Sequence, residues 1–173
     1  MLTAQPCEVP PNSFLRQYKD GLGYADCYVV KLPGKVIQAA YIEAFYTSPL
    51  FKIERTLLQY LASKPATDAD AKALAAGGAT RFSAWRVEAQ CSTELLLADF
   101  TGRTRSWLMA VPAPLGNDLP GTLLYFGSAV LPLSRQGAHS LGWLFHALLG
   151  FHQLYSRLLL GAASKRVRLQ NRK

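Results

Sequence analysis

The stretch 141–163, LGWLFHALLGFHQLYSRLLLGAA, constrains this chain more than any other. It is long enough to cross a bilayer, which takes about 20 apolar residues. His146, His152, Gln153 and Arg157 interrupt it, and an arginine in mid-span costs about 2.5–3.5 kcal/mol on insertion scales. Leu141, Leu144, Phe145, Leu148, Phe151, Tyr155, Leu158 and Ala162 recur at threes and fours, the pattern of a helix packed along one face. The expectation is one helix from His139 or Ser140 to about Ala163. At about 1.5 Å per residue it would run on the order of 35 Å, enough to cross a whole sheet.

The centre of the chain can supply that sheet. Arg81–Gln90 alternates, with Trp85 and Val87 on one face and Arg86 and Glu88 on the other. Strands are expected next at Thr93–Phe100, Arg103–Val111 and Gly121–Leu131, separated by Thr101-Gly102 and the punctuated loop Pro112–Pro120. Strands this close in sequence pair most economically as an antiparallel meander. Upstream, Tyr24–Leu32 reads as a strand closed by Pro33-Gly34.

Two short helices should follow that first strand. In Lys35–Tyr46, Val36, Ile37, Ala40, Tyr41, Ala44 and Phe45 share a face. Ser48 then suits an N-cap and Pro49 a first helical position. Leu50, Ile53, Leu57, Leu58 and Leu61 form the stripe of 49–63. Thr67 and Asp70 match a capping box, and Gly77-Gly78 would end the helix over 71–76.

A chain of 173 residues fits one domain. At 50% hydrophobic and 17% charged it is no disordered polymer. The boundaries read as an extended, proline-containing arm over 1–22, one domain over 23–164 and a basic tail over 165–173. That tail carries Lys165, Arg166, Arg168, Arg172 and Lys173 and no acid. The net charge is +8; without the tail, 14 basic residues face 11 acidic ones. The basic excess is thus local: it can attract anionic lipid, or simply be solvated, and it does not argue for specific nucleic-acid binding. Cys7, Cys27 and Cys91 are odd in number and lack CxxC spacing, which argues against a disulfide framework or structural zinc. With no basic-then-apolar leader at the start, the expected compartment is the cytoplasm.

The order strand, two short helices, meander, long helix is α+β. It resembles the helix-grip architecture of the START-like, or Bet v 1-like, superfamily (SRPBCC), which includes polyketide cyclases and dehydrases. The likeness spans roughly residues 24–163. It implies a curved antiparallel sheet wrapped around the C-terminal helix, with a cavity for an apolar ligand between them. The five strands read here fall short of the six or seven usual there. The segments YADCYVV, FSAWRVEAQCSTELLLADF, TRSWLMAV and LGWLFHALLGFHQLYSRLLLGAA also resemble the uncharacterised DUF2867 family. Gly142, Phe145, Phe151 and His152 occupy places similar to that family's closing motif. This likeness implies a fold and no reaction.

Chemistry-bearing residues are few. His139, His146 and His152 lack HxxxH spacing, so no metal site is expected. No Walker A, GxGxxG or GxSxG motif is present, so no nucleotide cofactor is expected. His152 could act as an acid or base at a cavity mouth; the plain alternative is a hydrogen-bonded helix histidine. Asp26, Glu88, Glu94 and Asp99 lie on strands, where Arg86, Arg103 and Arg105 can neutralise them. Arg105 shares a strand face with Trp107 and Met109. If that face lines the cavity, Arg105 could anchor a carboxylate. The expected lining is Arg105, Trp107, Met109, Tyr125, Phe145 and His152.

Three functions follow as expectations. The first is a cup for a small apolar or amphipathic molecule. The second is a cyclase, dehydratase or hydrolase using His152, Glu88 or Arg105 in that cavity. The third is a peripheral membrane protein docking through the basic C-terminus.

Overall fold

The computed structural model describes residues 3–21, 23–62, 65–114, 120–131, 133–135, 138–140 and 143–170, with backbone alone for Glu54, 57–62, 133–135, 138–140 and 143–152. Its main sheet has seven antiparallel strands: β1 (Gln5–Pro6), β2 (Tyr24–Pro33), β3 (Arg81–Phe82), β4 (Trp85–Gln90), β5 (Glu94–Asp99), β6 (Thr104–Pro112) and β7 (Gly121–Val130). The spatial order is β1-β2-β7-β6-β5-β4-β3. The meander expected from the closely spaced strands therefore runs unbroken from β3 to β7. β2 pairs along its whole length with β7, from Tyr24↔Val130 to Pro33↔Gly121. β8 (Leu133–Arg135) and β9 (Ala138–Ser140) form a separate hairpin.

The helices are α1 (Arg16–Lys19), α2 (Gln38–Tyr46), α3 (Pro49–Ala62), α4 (Asp68–Ala75) and α5 (Trp143–Gln170). Local chemistry sets their starts. Phe51 N–H donates to Ser48 Oγ at 3.3 Å, so Ser48 caps α3 and Pro49 is its first residue. Thr67 and Asp70 exchange side-chain and backbone bonds in a reciprocal box at α4. Gly77, at φ 74°, takes the left-handed conformation that closes that helix.

The sheet is covered on both faces. On one, α2 and α5 pack over β2, β6 and β7. Tyr41, Phe45, Tyr46, Phe82, Leu97, Leu108, Leu124, Leu160 and Val167 belong to this larger core. On the other face lies the N-terminal arm. Val9 and Leu15 are buried with Cys27, Leu96, Trp107, Met109 and Ala129, and Phe14 and Tyr18 pack against them.

The described part of the arm lies on the sheet, where β1 pairs with β2 and Leu15 is fully buried. Three expectations need correction. The long helix does not begin at His139 or Ser140, which belong to β9. The long helix does not stop near Ala163. Val167, one turn on from Ala163, is itself fully buried and carries the helix to Gln170, so Lys165, Arg166 and Arg168 stand on helix and not on a loose tail. The strands exceed five because β1 and β3, two residues each, are too short to show a period. No helix among the described residues is long and apolar enough to cross a membrane.

Candidate functional site

A half-open cleft of about 500 Å³ lies between the sheet, α2, α3 and α5. That volume is ordinary for a small-molecule site, roughly 300–1,000 Å³. Each wall comes from a different element. β6 contributes Thr104 to Ser106, and β7 contributes Phe126 and Ser128. α2 and α3 contribute Phe45, Leu50, Phe51 and Ile53; α5 contributes Tyr155, Ser156 and Leu159. Trp85 on β4 closes one side. Alternation explains the sheet contribution. Phe126 and Ser128 sit two apart on β7 and so face the helices together, while Gly127 between them faces the arm.

Polar groups in this apolar cleft are few, and two lack a partner among the described residues. Ser156 Oγ is fully buried on α5 without a hydrogen bond, and the buried Trp85 Nε1 has none either. A buried polar atom left unsatisfied costs about 1–3 kcal/mol. Ser128 differs: its Oγ donates to Asp26 Oδ1 at 2.6 Å across the β2–β7 pair. Asp26 thereby lies at one end of the same sheet face, also accepting from Tyr28 Oη at 3.4 Å.

Of the expected lining residues, Arg105 borders the cleft, whereas Trp107, Met109 and Tyr125 do not. Trp107, Met109 and Tyr125 belong to the face beneath the arm, and the Trp107 and Tyr125 rings lie 6.1 Å apart there. The expectation that they line a sheet–helix cavity is corrected. Leu108 and Ala110, the other set of alternating positions on β6, face α2 and α5 instead. Phe145 and His152 lie on α5, but their side chains fall outside the described residues, as do those of His139 and His146. Among the described residues no three His, Cys, Asp or Glu side chains form a metal-binding group.

Glu88 and Arg105 are brought together, though not in the cleft. Arg105 Nε lies 2.8 Å from Glu88 Oε2. Tyr18 of the arm donates to Glu88 Oε1, accepts from Arg105 Nε at 3.1 Å, and lays its ring 4.8 Å from the guanidinium carbon. Arg105 Nη1 also donates to Gly102 O at 2.8 Å. A β-bulge aims Glu88 at this spot: the register shifts between Val87 and Ala89, leaving Glu88 as the extra residue. Burial, then the bond to Glu88, raises the Tyr18 pKa above its ordinary value. The three side chains form a clasp that holds the arm to the sheet. The strand segment around Arg105 still forms part of the cleft floor on the other side.

Sequence reasoning missed Ser156 and the role of Trp85. The available signal was a serine inside an otherwise apolar helical stripe, which has to be either solvated or matched to something polar. Comparison of the chain with protein-family models, with curated proteins and with solved structures finds no match.

Proposed function

We propose that this protein binds a small apolar or amphipathic molecule in the cleft, as a helix-grip cup of the START-like kind would. One observation carries the reading: an aromatic cleft of ligand size in which Ser156 Oγ and Trp85 Nε1 have no partner among the described residues. An occupant with an apolar body and one polar group would satisfy the indole N–H and the serine hydroxyl together. Catalysis by Glu88 with Arg105 forms no part of this reading, because both are engaged with Tyr18 at the other face.

The test is a thermal-shift and fluorescence screen with fatty acids and polyaromatic compounds, run on the native protein and on Ser156→Leu, which fills the cleft. Saturable binding that Ser156→Leu weakens at least tenfold supports the reading. Absence of binding across the panel, or equal binding by the filled variant, overturns it.

A second reading rests on the outer face of α5. Leu154, Leu158 and Leu169 are each more than half exposed. Arg157, Lys165 and Arg168 are exposed within the same arc of the helix, and no Asp or Glu occurs between Trp143 and Gln170. Exposed leucines flanked only by cations complement an anionic lipid surface. Arg172 and Lys173 fall outside the described residues. Sedimentation with phosphatidylserine vesicles at low salt should capture the protein and release Leu158→Glu; indifference to lipid charge and to that substitution would count against it.

A further inference from the structure

Cys7 and Cys27 stand opposite one another across the β1–β2 pair. The register Pro6↔Tyr28 continues to them, and Cys7 N–H donates to Cys27 O at 2.9 Å. Their sulfurs are 3.1 Å apart, with both thiols free. Opposed residues of an antiparallel ladder hold their Cα atoms about 4.5–5.5 Å apart, inside the span that a disulfide bridges. The two sites differ in access. Cys7 is half-buried at the margin of the arm, whereas Cys27 is buried on a central strand.

We propose that Cys7 and Cys27 form a redox-modification site that reacts with low-molecular-weight disulfides and locks the N-terminal arm onto the sheet. The accessible Cys7 thiolate attacks one sulfur of the small disulfide, forming a mixed disulfide and releasing one thiol. The Cys27 sulfur then displaces the second thiol from Cys7. Two protein thiols and one small disulfide thus become one protein disulfide and two small thiols, with both electrons passing to the released pair. The thiol hydrogen shared between the sulfurs lowers the Cys7 pKa and raises that of Cys27, which fits attack by the first and resolution by the second.

The consequence follows from what the arm covers. Without the bond, the arm rests on the Tyr18 clasp, on Phe14 N–H bonded to Glu94, and on Leu15 seated over Gly127. With it, residues 7 to 27 become a closed loop and the arm cannot leave the sheet. This site is independent of the ligand cleft, which lies on the opposite face.

The experiment uses the full chain carrying Cys91→Ser, which removes the exposed third thiol. The protein is incubated with excess oxidised glutathione, alkylated, and cut with trypsin without reduction. Arg16 and Lys19 lie between the two cysteines, so an internal bond joins two otherwise separate peptides. The expected result is the linked peptide pair, a melting temperature raised by about 5–10 °C, and slower proteolysis at Arg16 and Lys19, all reversed by a reducing agent and all absent in Cys7→Ser. Full alkylation of both cysteines after oxidation overturns the proposal. So does a mixed disulfide that persists on Cys7, or a linked pair that leaves arm proteolysis unchanged.

Discussion

Trp107 Nε1 donates to Glu94 Oε2 at 2.7 Å, and the same carboxylate oxygen takes the Phe14 backbone N–H of the arm at 2.8 Å. One buried acid on β5 thus fixes both an indole of the sheet and the chain laid across it. A carboxylate acceptor shared with a buried indole is strong because that donor cannot turn to water instead.

Replacing that acid should therefore be costly. Glu94→Ala leaves the indole N–H without its acceptor and takes the arm's backbone anchor away, and about 2–3 kcal/mol of stability is expected to go. Glu94→Gln keeps one acceptor oxygen and should lose only about 1 kcal/mol. Urea unfolding followed by tryptophan fluorescence measures both. Equal losses for the two variants would show that the shared acceptor is not what matters.

Gly127 makes a second seat for the arm. A Cβ there would lie 2.5 Å from Leu15 Cδ2, 2.8 Å from Asp26 O and 3.1 Å from Trp107 Cε3. The backbone oxygen cannot swing away as a side-chain tip can. Gly127→Ala should cost about 1–3 kcal/mol through overpacking, and the arm should be cut faster by trypsin at Arg16 and Lys19. A variant as stable and as protease-resistant as the parent would contradict this seat.

Alkaline pH should destabilise the fold. Burial raises the pKa values of Tyr18, Tyr24, Tyr28, Tyr41 and Tyr125, with Tyr41 fully enclosed and held well above its ordinary value. For a group whose folded pKa is raised, the stabilisation is complete below the unfolded value and is lost as pH climbs toward the folded one. Stability should fall once pH passes about 10, where tyrosines of the unfolded chain ionise. Urea midpoints across that range give the slope, and Tyr41→Phe should flatten it. A midpoint independent of pH there would refute the assignment.

Removing the unpartnered hydroxyl of the cleft should not weaken the protein. Ser156→Ala deletes a buried oxygen that makes no hydrogen bond among the described residues, so its expected effect runs from zero to about 1 kcal/mol of added stability. The same substitution should weaken any ligand that uses that oxygen. A clear loss of stability in the ligand-free variant would mean that Ser156 serves the fold and not an occupant.

Much of the framework was legible in advance. Ser48 with Pro49, Thr67 with Asp70, and the closely spaced strands of the meander each follow from short-range rules, and each is found where those rules put it. Which face of the sheet meets the long helix was not legible. On β6, Trp107 and Met109 are buried on one side and Leu108 and Ala110 on the other. Alternation identifies a buried face only when the other face is wet. Here the arm dries the second face, so both sets look like core. The arm itself carries no period: Cys7, Val9, Phe14, Leu15 and Tyr18 are spaced by its own turns. The Cys7–Cys27 contact was hidden for a related reason, since only strand pairing brings residues twenty positions apart together. The cleft was legible as a place between sheet and helix, but its lining was not, because that lining inherits the same ambiguity of face.

Residues 7–18 emerge from the ribosome before any part of the surface on which they settle. Their partners Glu88, Glu94 and Arg105 follow 70 to 87 positions later, across the whole helical excursion and most of the meander. Contacts so distant along a chain form late, because a large loop must close before they repay its lost freedom. Those contacts of the arm are therefore late to form, although its pairing with β2 needs only a short loop. Until β4 to β7 have zipped, its apolar side chains stay in the open, where a nascent chain is most exposed to proteases and to chaperones.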